Sequence, residues 1–348
     1  MDREQREKYS RQILFTGVGE DGQENLLRSK AVLVGCGALG TVVANLLTRA
    51  GIGSLRIIDR DFVEPSNLQR QTLFEESDAR DSLPKAVAAE RRLRAINSGV
   101  RAEGIVADLT PKNAEELLSG FPLILDGCDN FETRLLINDA AISLNIPWIY
   151  TAAVGSYGVT MTVLPGKTAC LACLLESSNE PDQRERIGNE ETCDTAGVLG
   201  SAASAIASLE ATEAIKMLAR KSDAQHGRLV SCDVWSGKFR SVRVIRNPDC
   251  RACARRDFIY LAGEAQPHIT MCGRDSVQIH ERSRRIDLAE LGRRLTSASA
   301  NDVRSNDFLL RCRISPYELT VFTDGRAIVK GTQDPAVARS LYARYIGA

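Results

Sequence analysis

The chain carries no charge excess of either sign: Lys plus Arg and Asp plus Glu both number 45 among 348 residues. A basic face for nucleic acid or an anionic membrane would have to be local, so neither partner is expected. Histidine is scarce. His226, His268 and His280 are all there are, and none falls in the motifs described below, which argues against chemistry built on an imidazole base. No apolar run approaches a signal core or a membrane span, and the opening MDREQREKYSRQ is charged from its second residue, so a cytoplasmic location is expected. Ten cysteines are present, and in such a compartment they point to metal or catalytic thiols rather than a disulfide framework. The length suits one large domain with a small one, or two comparable ones.

Residues 31–61, AVLVGCGALGTVVANLLTRAGIGSLRIIDRD, organise the rest. A short apolar strand at 31–34 leads into Gly35, Gly37 and Gly40, spaced G-x-G-x-x-G, and then into an apolar-periodic helix at 39–49. Such a turn brings backbone N–H groups and a helix N-terminus against a phosphate. Residues 55–58 form a second buried strand, and Asp59 at its end can accept ribose hydroxyls. Read alone, the stretch binds a nucleotide with a ribose; NAD, FAD and ATP all qualify.

Upstream, residues 1–30 read as a polar helix, an Ile13-Leu14-Phe15 anchor and a second helix at 21–29, with Arg11 as an ordinary solvated charge. Downstream, a second acid, Asp61, precedes FVEPSNLQRQTLF, a loop expected to leave Asn67, Arg70 and Gln71 exposed. Pro84 and Lys85 open a long helix. Lys85 there opposes the helix dipole unless an anion is near. Further strands are expected at 104–107 and 121–125, the latter running into DGCDN. Asp126 and Asp129 at that strand end suit a divalent metal beside phosphates, or simply cap a turn and a helix. Strands at 147–151 and 159–163 complete an alternation of β and α to about residue 165. The expected fold class is α/β, a doubly wound, Rossmann-like, mainly parallel sheet.

Cys170 and Cys173, then Cys250 and Cys253, form two C-x-x-C knuckles able to give four thiolates to one tetrahedral structural zinc. A redox disulfide is the weaker alternative, since neither pair opens a thioredoxin-like βα unit. Between them lies a polar, charged segment expected to be a loop crossing the active site. It ends at Cys193, which is either a half-buried thiol or one activated by the small-residue helix that follows. Strands at 229–234 and 239–244 precede the second knuckle. Residues 262–348 read as a small α+β domain with a hairpin turning at Asp324-Gly325.

Arg11-Gln12, GCGALG at 35–40, IDRD at 58–61, NLQRQ at 67–71, Pro84-Lys85, DGCDN at 126–130, the two knuckles and CDTAGVLG at 193–200 follow one another in order. In this series the chain resembles the ThiF/MoeB/HesA family, bacterial relatives of the ubiquitin-activating enzymes, over residues 1–258. The resemblance implies ATP- and Mg²⁺-dependent adenylation of the C-terminal glycine of a small ubiquitin-like sulfur carrier, thiamin-type or molybdopterin-type, ending in Gly-Gly. It implies that Gly35, Gly37, Gly40, Asp59, Asp61 and Gln71 bind the nucleotide, and that Asn67, Arg70 and Lys85 contact its phosphates. Asp129 would position Mg²⁺, Arg11 would reach the site of the other subunit of a homodimer, and Cys193 would link covalently to the carrier during sulfur transfer from a donor protein. A carboxylate nucleophile needs charge neutralisation and in-line positioning rather than a strong base, which suits these residue types. Two departures stand out. Residues 262–348 are too short for a rhodanese domain and loosely resemble the docking domain of eukaryotic activating enzymes, and Ser201 replaces a commoner proline. The rivals are a nicotinamide oxidoreductase, an activator of a tRNA-linked carboxylate, and a non-catalytic partner subunit.

Overall fold

Apolar runs with little polar interruption become strands covered on both faces. In the computed structural model, which describes residues 1–175, 196–221, 227–264, 270–271, 276–279, 285–297 and 300–347, such runs and the half-buried edge strand beside them pair in parallel, five strands in all. They are β1 (Lys30–Val34), β2 (Ser54–Asp59), β3 (Arg101–Val106), β4 (Ile124–Asp126) and β5 (Trp148–Val154), in the order β3-β2-β1-β4-β5. The sheet then continues antiparallel through β6 (Tyr157–Val163), β7 (Leu229–Asp233) and β8 (Lys238–Val242). The expected alternation of β and α therefore stops at β5. Only Gly155 and Ser156 separate β5 from β6, far too few for a parallel crossover, and Gly155 turns the chain with φ of +57°.

Two apolar layers sandwich this sheet. On one side pack the helices Ala38–Ala50, Lys85–Ile96 and Gly200–Leu218. On the other lie Ala114–Leu118, Phe131–Leu144 and all four knuckle cysteines. Ala202, Ala203, Ala207, Ala211 and Ala214 let the Gly200–Leu218 helix sit close, and a Cβ on Gly158 would fall 2.7 Å from Ile206. The carboxyl ends of β1, β2 and β4 are thus held from both faces.

The chain divides into two units, Met1–Ala265 and Gln266–Ala348. The second holds an antiparallel sheet in the order β11-β12-β13-β14-β10-β9, made of β9 (Thr270–Met271), β10 (Ser276–Ile279), β11 (Asn301–Ser305), β12 (Leu309–Ile314), β13 (Tyr317–Phe322) and β14 (Ala327–Lys330). The helices Leu288–Ser297 and Pro335–Tyr345 give Leu291, Leu295, Ala338 and Tyr342 to its core. The β13–β14 hairpin turns at Gly325, φ +88°, as its Asp-Gly pair predicts. β11 shows no strand period in the sequence because Val303 is its one apolar residue. Cys193, the three histidines and most of the polar loop before Cys193 lie outside the described residues. Among the described residues no helix is long and apolar enough to cross a membrane.

Candidate active site

The glycine turn separates structural from ligand-facing positions. Gly35 has φ +89° and passes so near Gly127 that a Cβ would lie 2.5 Å from its carbonyl oxygen; a Cβ on Gly40 would lie 2.1 Å from Gly35 O. Those two glycines exist for close backbone approach. Gly37 differs. Its nearest neighbours to a hypothetical Cβ are Gly127 O at 3.9 Å and Gln71 Nε2 at 4.0 Å, so the space before it is open. It caps the Ala38–Ala50 helix with no side-chain hydrogen bond, which leaves the N-terminus available to an anion.

Asp59 ends β2 and accepts from Cys36 N at 2.6 Å through Oδ2 and from Asp61 N at 2.7 Å through Oδ1. Burial pushes its carboxyl above the usual range, with Lys85 opposing that shift. An ionised carboxylate has about four acceptor sites, so two remain for hydroxyls. Lys85 is buried, its Nζ 3.1 Å from Asp61 Oδ2, and its N–H donates to Asp61 O at 2.8 Å. The anion that the helix dipole requires beside Lys85 is therefore Asp61.

The 62–74 segment is not the exposed loop the sequence suggested. Asn67 and Gln71 are buried and Arg70 is half-buried. Val63, Leu73 and Phe74 enter the core and carry the intervening polar residues down with them. Asn67 Oδ1 takes the Glu64 N–H at 3.1 Å, closing a short 3₁₀ turn at Pro65–Asn67. Asn67 Nδ2 and Gln71 Oε1 have no partner among the described residues. Buried amide groups left unsatisfied beside an open turn fit a polar ligand. Arg70 donates to Ser66 O at 2.8 Å.

Arg11 stands exposed on the short helix Ser10–Leu14. That helix is anchored by Gln12 Nε2 on Ala50 O at 2.9 Å and by Tyr9, whose hydroxyl accepts from Asn97 Nδ2 at 2.9 Å. Leu14 and Phe15 beside it are 70% and 65% exposed. Arg11 is not brought to the glycine turn of its own chain by any hydrogen bond or ion pair among the described residues.

Asp126 and Asp129 do not share a metal site. Asp126 is fully buried; it accepts from Cys128 N at 2.9 Å and pairs with Arg134 Nε at 3.2 Å, while its own N–H donates to Glu210 Oε1 at 3.0 Å. Asp129 is exposed, takes Asn130 Nδ2 at 3.2 Å, and precedes the Phe131–Leu144 helix that Asn130 caps through Thr133 N at 2.8 Å. β4 ends at Asp126, so that carboxylate stays inside the sheet layer while Asp129, three residues on in the bend before the helix, faces solvent. Arg134, Glu210, Arg60 and Asp108 were not singled out from sequence. A carboxylate among the small and apolar residues of the Gly200–Leu218 helix, as at Glu210, was the available signal.

Cys170, Cys173, Cys250 and Cys253 are buried, and their sulfurs lie within 4.8 Å of one another, with separations of 3.9, 3.7 and 3.4 Å. A tetrahedron of zinc–sulfur bonds spaces its sulfurs by about 3.8 Å, so the set fits. Asn247 N points at Cys173 Sγ from 3.4 Å. The Phe131–Leu144 helix braces both knuckles: Asn138 Oδ1 accepts from Leu171 N at 2.9 Å, and Asp139 pairs with Arg251 at 3.2 Å. One helix thus follows directly on the Asp129 bend and braces the cysteine cluster along its side.

A family model described as the ThiF family matches residues 9–252. The sulfur carrier protein ThiS adenylyltransferase of Bacillus subtilis (strain 168) is 44% identical over 344 residues, 98% of this chain and 99% of that protein. That match runs through the second unit as well. The molybdopterin-synthase adenylyltransferase of Escherichia coli (strain K12) is 35% identical over 249 residues, 71% of this chain and 96% of that one. Among solved structures, E. coli MccB with AMPCPP and MccA superposes with a TM-score of 0.62 and 25% identity, covering 71% of this chain and 74% of that chain.

Proposed function

The chain belongs to the ThiF family, and from that premise we propose that it adenylates the C-terminal glycine of a small ubiquitin-like sulfur carrier protein, using ATP and releasing pyrophosphate. The carrier is of the ThiS type; the 44% identity over nearly the whole chain supports this above the 35% over its first part. The observation that carries the reading is the gathering of Gly37, Asp59, Gln71 and the Lys85–Asp61 pair around one open turn, with Asn67 Nδ2 and Gln71 Oε1 lacking a partner among the described residues.

The carrier's carboxylate attacks the α-phosphorus and pyrophosphate leaves. No proton need be removed from the nucleophile, so the chain's task is to hold the triphosphate in line and to neutralise charge. The helix N-terminus at Gly37 takes the phosphates, and Asp59 takes the ribose. Lys85, pre-positioned by Asp61, stands with Asn67, Gln71 and Arg70 on the polyphosphate. Asp129 would hold Mg²⁺, which would supply further charge neutralisation there. Arg11 completes the site of a second copy; its exposure next to Leu14 and Phe15, two large apolar residues open to solvent, supports a homodimer formed on that face. Cys170, Cys173, Cys250 and Cys253 hold a structural zinc whose four thiolates leave no open coordination position. Cys193 forms the covalent link to the carrier: its thiol attacks the carbonyl of the carrier's acyl-adenylate, a thioester forms as the acyl–phosphate bond breaks, AMP leaves and the thiol proton goes to solvent.

Carrier-dependent ATP–pyrophosphate exchange tests this. Exchange is expected with a ThiS-like carrier ending in Gly-Gly and not with one lacking its last glycine, and Cys193→Ser is expected to keep exchange while losing sulfur transfer. Exchange with a MoaD-like carrier alone would move the protein to molybdopterin synthesis. Dinucleotide binding without any exchange would overturn the reading.

A further inference from the structure

Arg60 lies between the two acids at the end of β2 and has no part in the roles above. Its Nη1 is 3.0 Å from Asp108 Oδ2 and its Nε 3.9 Å from Asp61 Oδ1. Burial opposes its charge, yet Asp108, Asp61 and Asp129 together push its pKa up. Asp108 is itself fixed. Asn113 Nδ2 donates to Asp108 O at 2.9 Å, and Thr110 N reaches Asn113 Oδ1 at 2.8 Å. Ala107 N donates to Asp59 O at 3.3 Å, which keeps the end of β3 beside Asp59.

The strand order supplies a direction. Across β1, β2 and β3 stand in turn the glycine turn, Asp59, and the Arg60–Asp108 pair. A nucleotide with its phosphates at the turn and its ribose on Asp59 carries its base onward over β3. Resting on the adenylation reading, we propose that Arg60, held by Asp108, forms the base-side wall of the nucleotide site and contacts the adenosine end of ATP rather than its phosphates. A guanidinium pinned at one edge presents a flat, weakly hydrated face, suited to a purine ring.

AMP separates the two ends of the nucleotide, since it lacks the β and γ phosphates. Titration calorimetry of AMP and of ATP into the full chain, without carrier, is the test. Arg60→Ala and Arg60→Gln are expected to weaken both nucleotides by the same factor, on the order of tenfold, whereas Lys85→Ala weakens ATP far more than AMP. Asp108→Asn should weaken AMP in the unaltered chain and add little in the Arg60→Ala background. Of the two Arg60 variants, the one that melts as the unaltered chain does supplies the affinities to be compared. Unchanged AMP affinity, or a loss confined to ATP, overturns the proposal. Failure of the unaltered chain to bind AMP or ATP at all would instead overturn the adenylation reading.

Discussion

Asp129 and Glu210 show how differently two acids behave when one faces solvent and the other the core. Asp129 is exposed and bears on no packing, so Asp129→Ala should melt as the unaltered chain does while exchange falls by on the order of 10² to 10³; undiminished exchange would remove it from the metal site. Glu210 is fully buried, and burial pushes its carboxyl well above the usual range. In the folded chain it therefore keeps its proton at pH values where the unfolded chain has lost it. The stability this confers is complete at acid pH and is lost as pH rises through the folded value. Glu210→Gln keeps the oxygen that accepts from Asp126 N and removes that dependence. Urea unfolding should find the variant's stability relative to the parent higher near pH 8 than near pH 5, the gap between them shrinking toward acid. A gap that widens toward acid would contradict the sign.

At the level of the element, the strand–turn–helix of residues 30–50 divides its glycines between folding and binding. Gly40→Ala drives a Cβ into Gly35 O and should cost about 3 kcal/mol or more in stability. Gly37→Ala meets nothing closer than 3.9 Å, so its melting should change little while ATP affinity falls through steric loss at the phosphates. Thermal melts beside nucleotide titrations separate the two, and equal melting losses would mean that Gly37 too is a packing residue. The motif spacing named all three glycines, but it could not say which served which end. That depends on Gly127 crossing Gly35, a contact between segments far apart in sequence.

Across the molecule, the Phe131–Leu144 helix links the cysteine cluster to the Asp129 loop through Asn138 and Asp139. Zinc removal by a chelator should therefore lower the melting temperature by on the order of 10 °C or more, with exchange lost as the fold loosens rather than by fast reversible inhibition. Metal analysis that finds no zinc would withdraw the site. Arg11 acts across subunits if the homodimer holds. Arg11→Ala and Asp129→Ala proteins, each inactive alone, should on mixing recover about one quarter of full activity, because half the dimers are mixed and each has one whole site. No recovery after subunit exchange would argue against a shared site.

The sheet-and-helix alternation through β5, the glycine turn with an acid at the end of the next strand, and the pairing of the two knuckles were all legible in the sequence, because each is written in local period, turn chemistry or fixed spacing. It took the folded chain to establish that Asn67 and Gln71 are buried, that Asp126 serves Arg134 rather than a metal, that Asp61 is the partner of Lys85, and that Arg60 is tied to Asp108. The physical reason is common to all four. Burial and ion pairing depend on which distant segments meet at the strand ends, and a buried charge takes the partner that packing brings to it, which neither motif nor periodicity encodes.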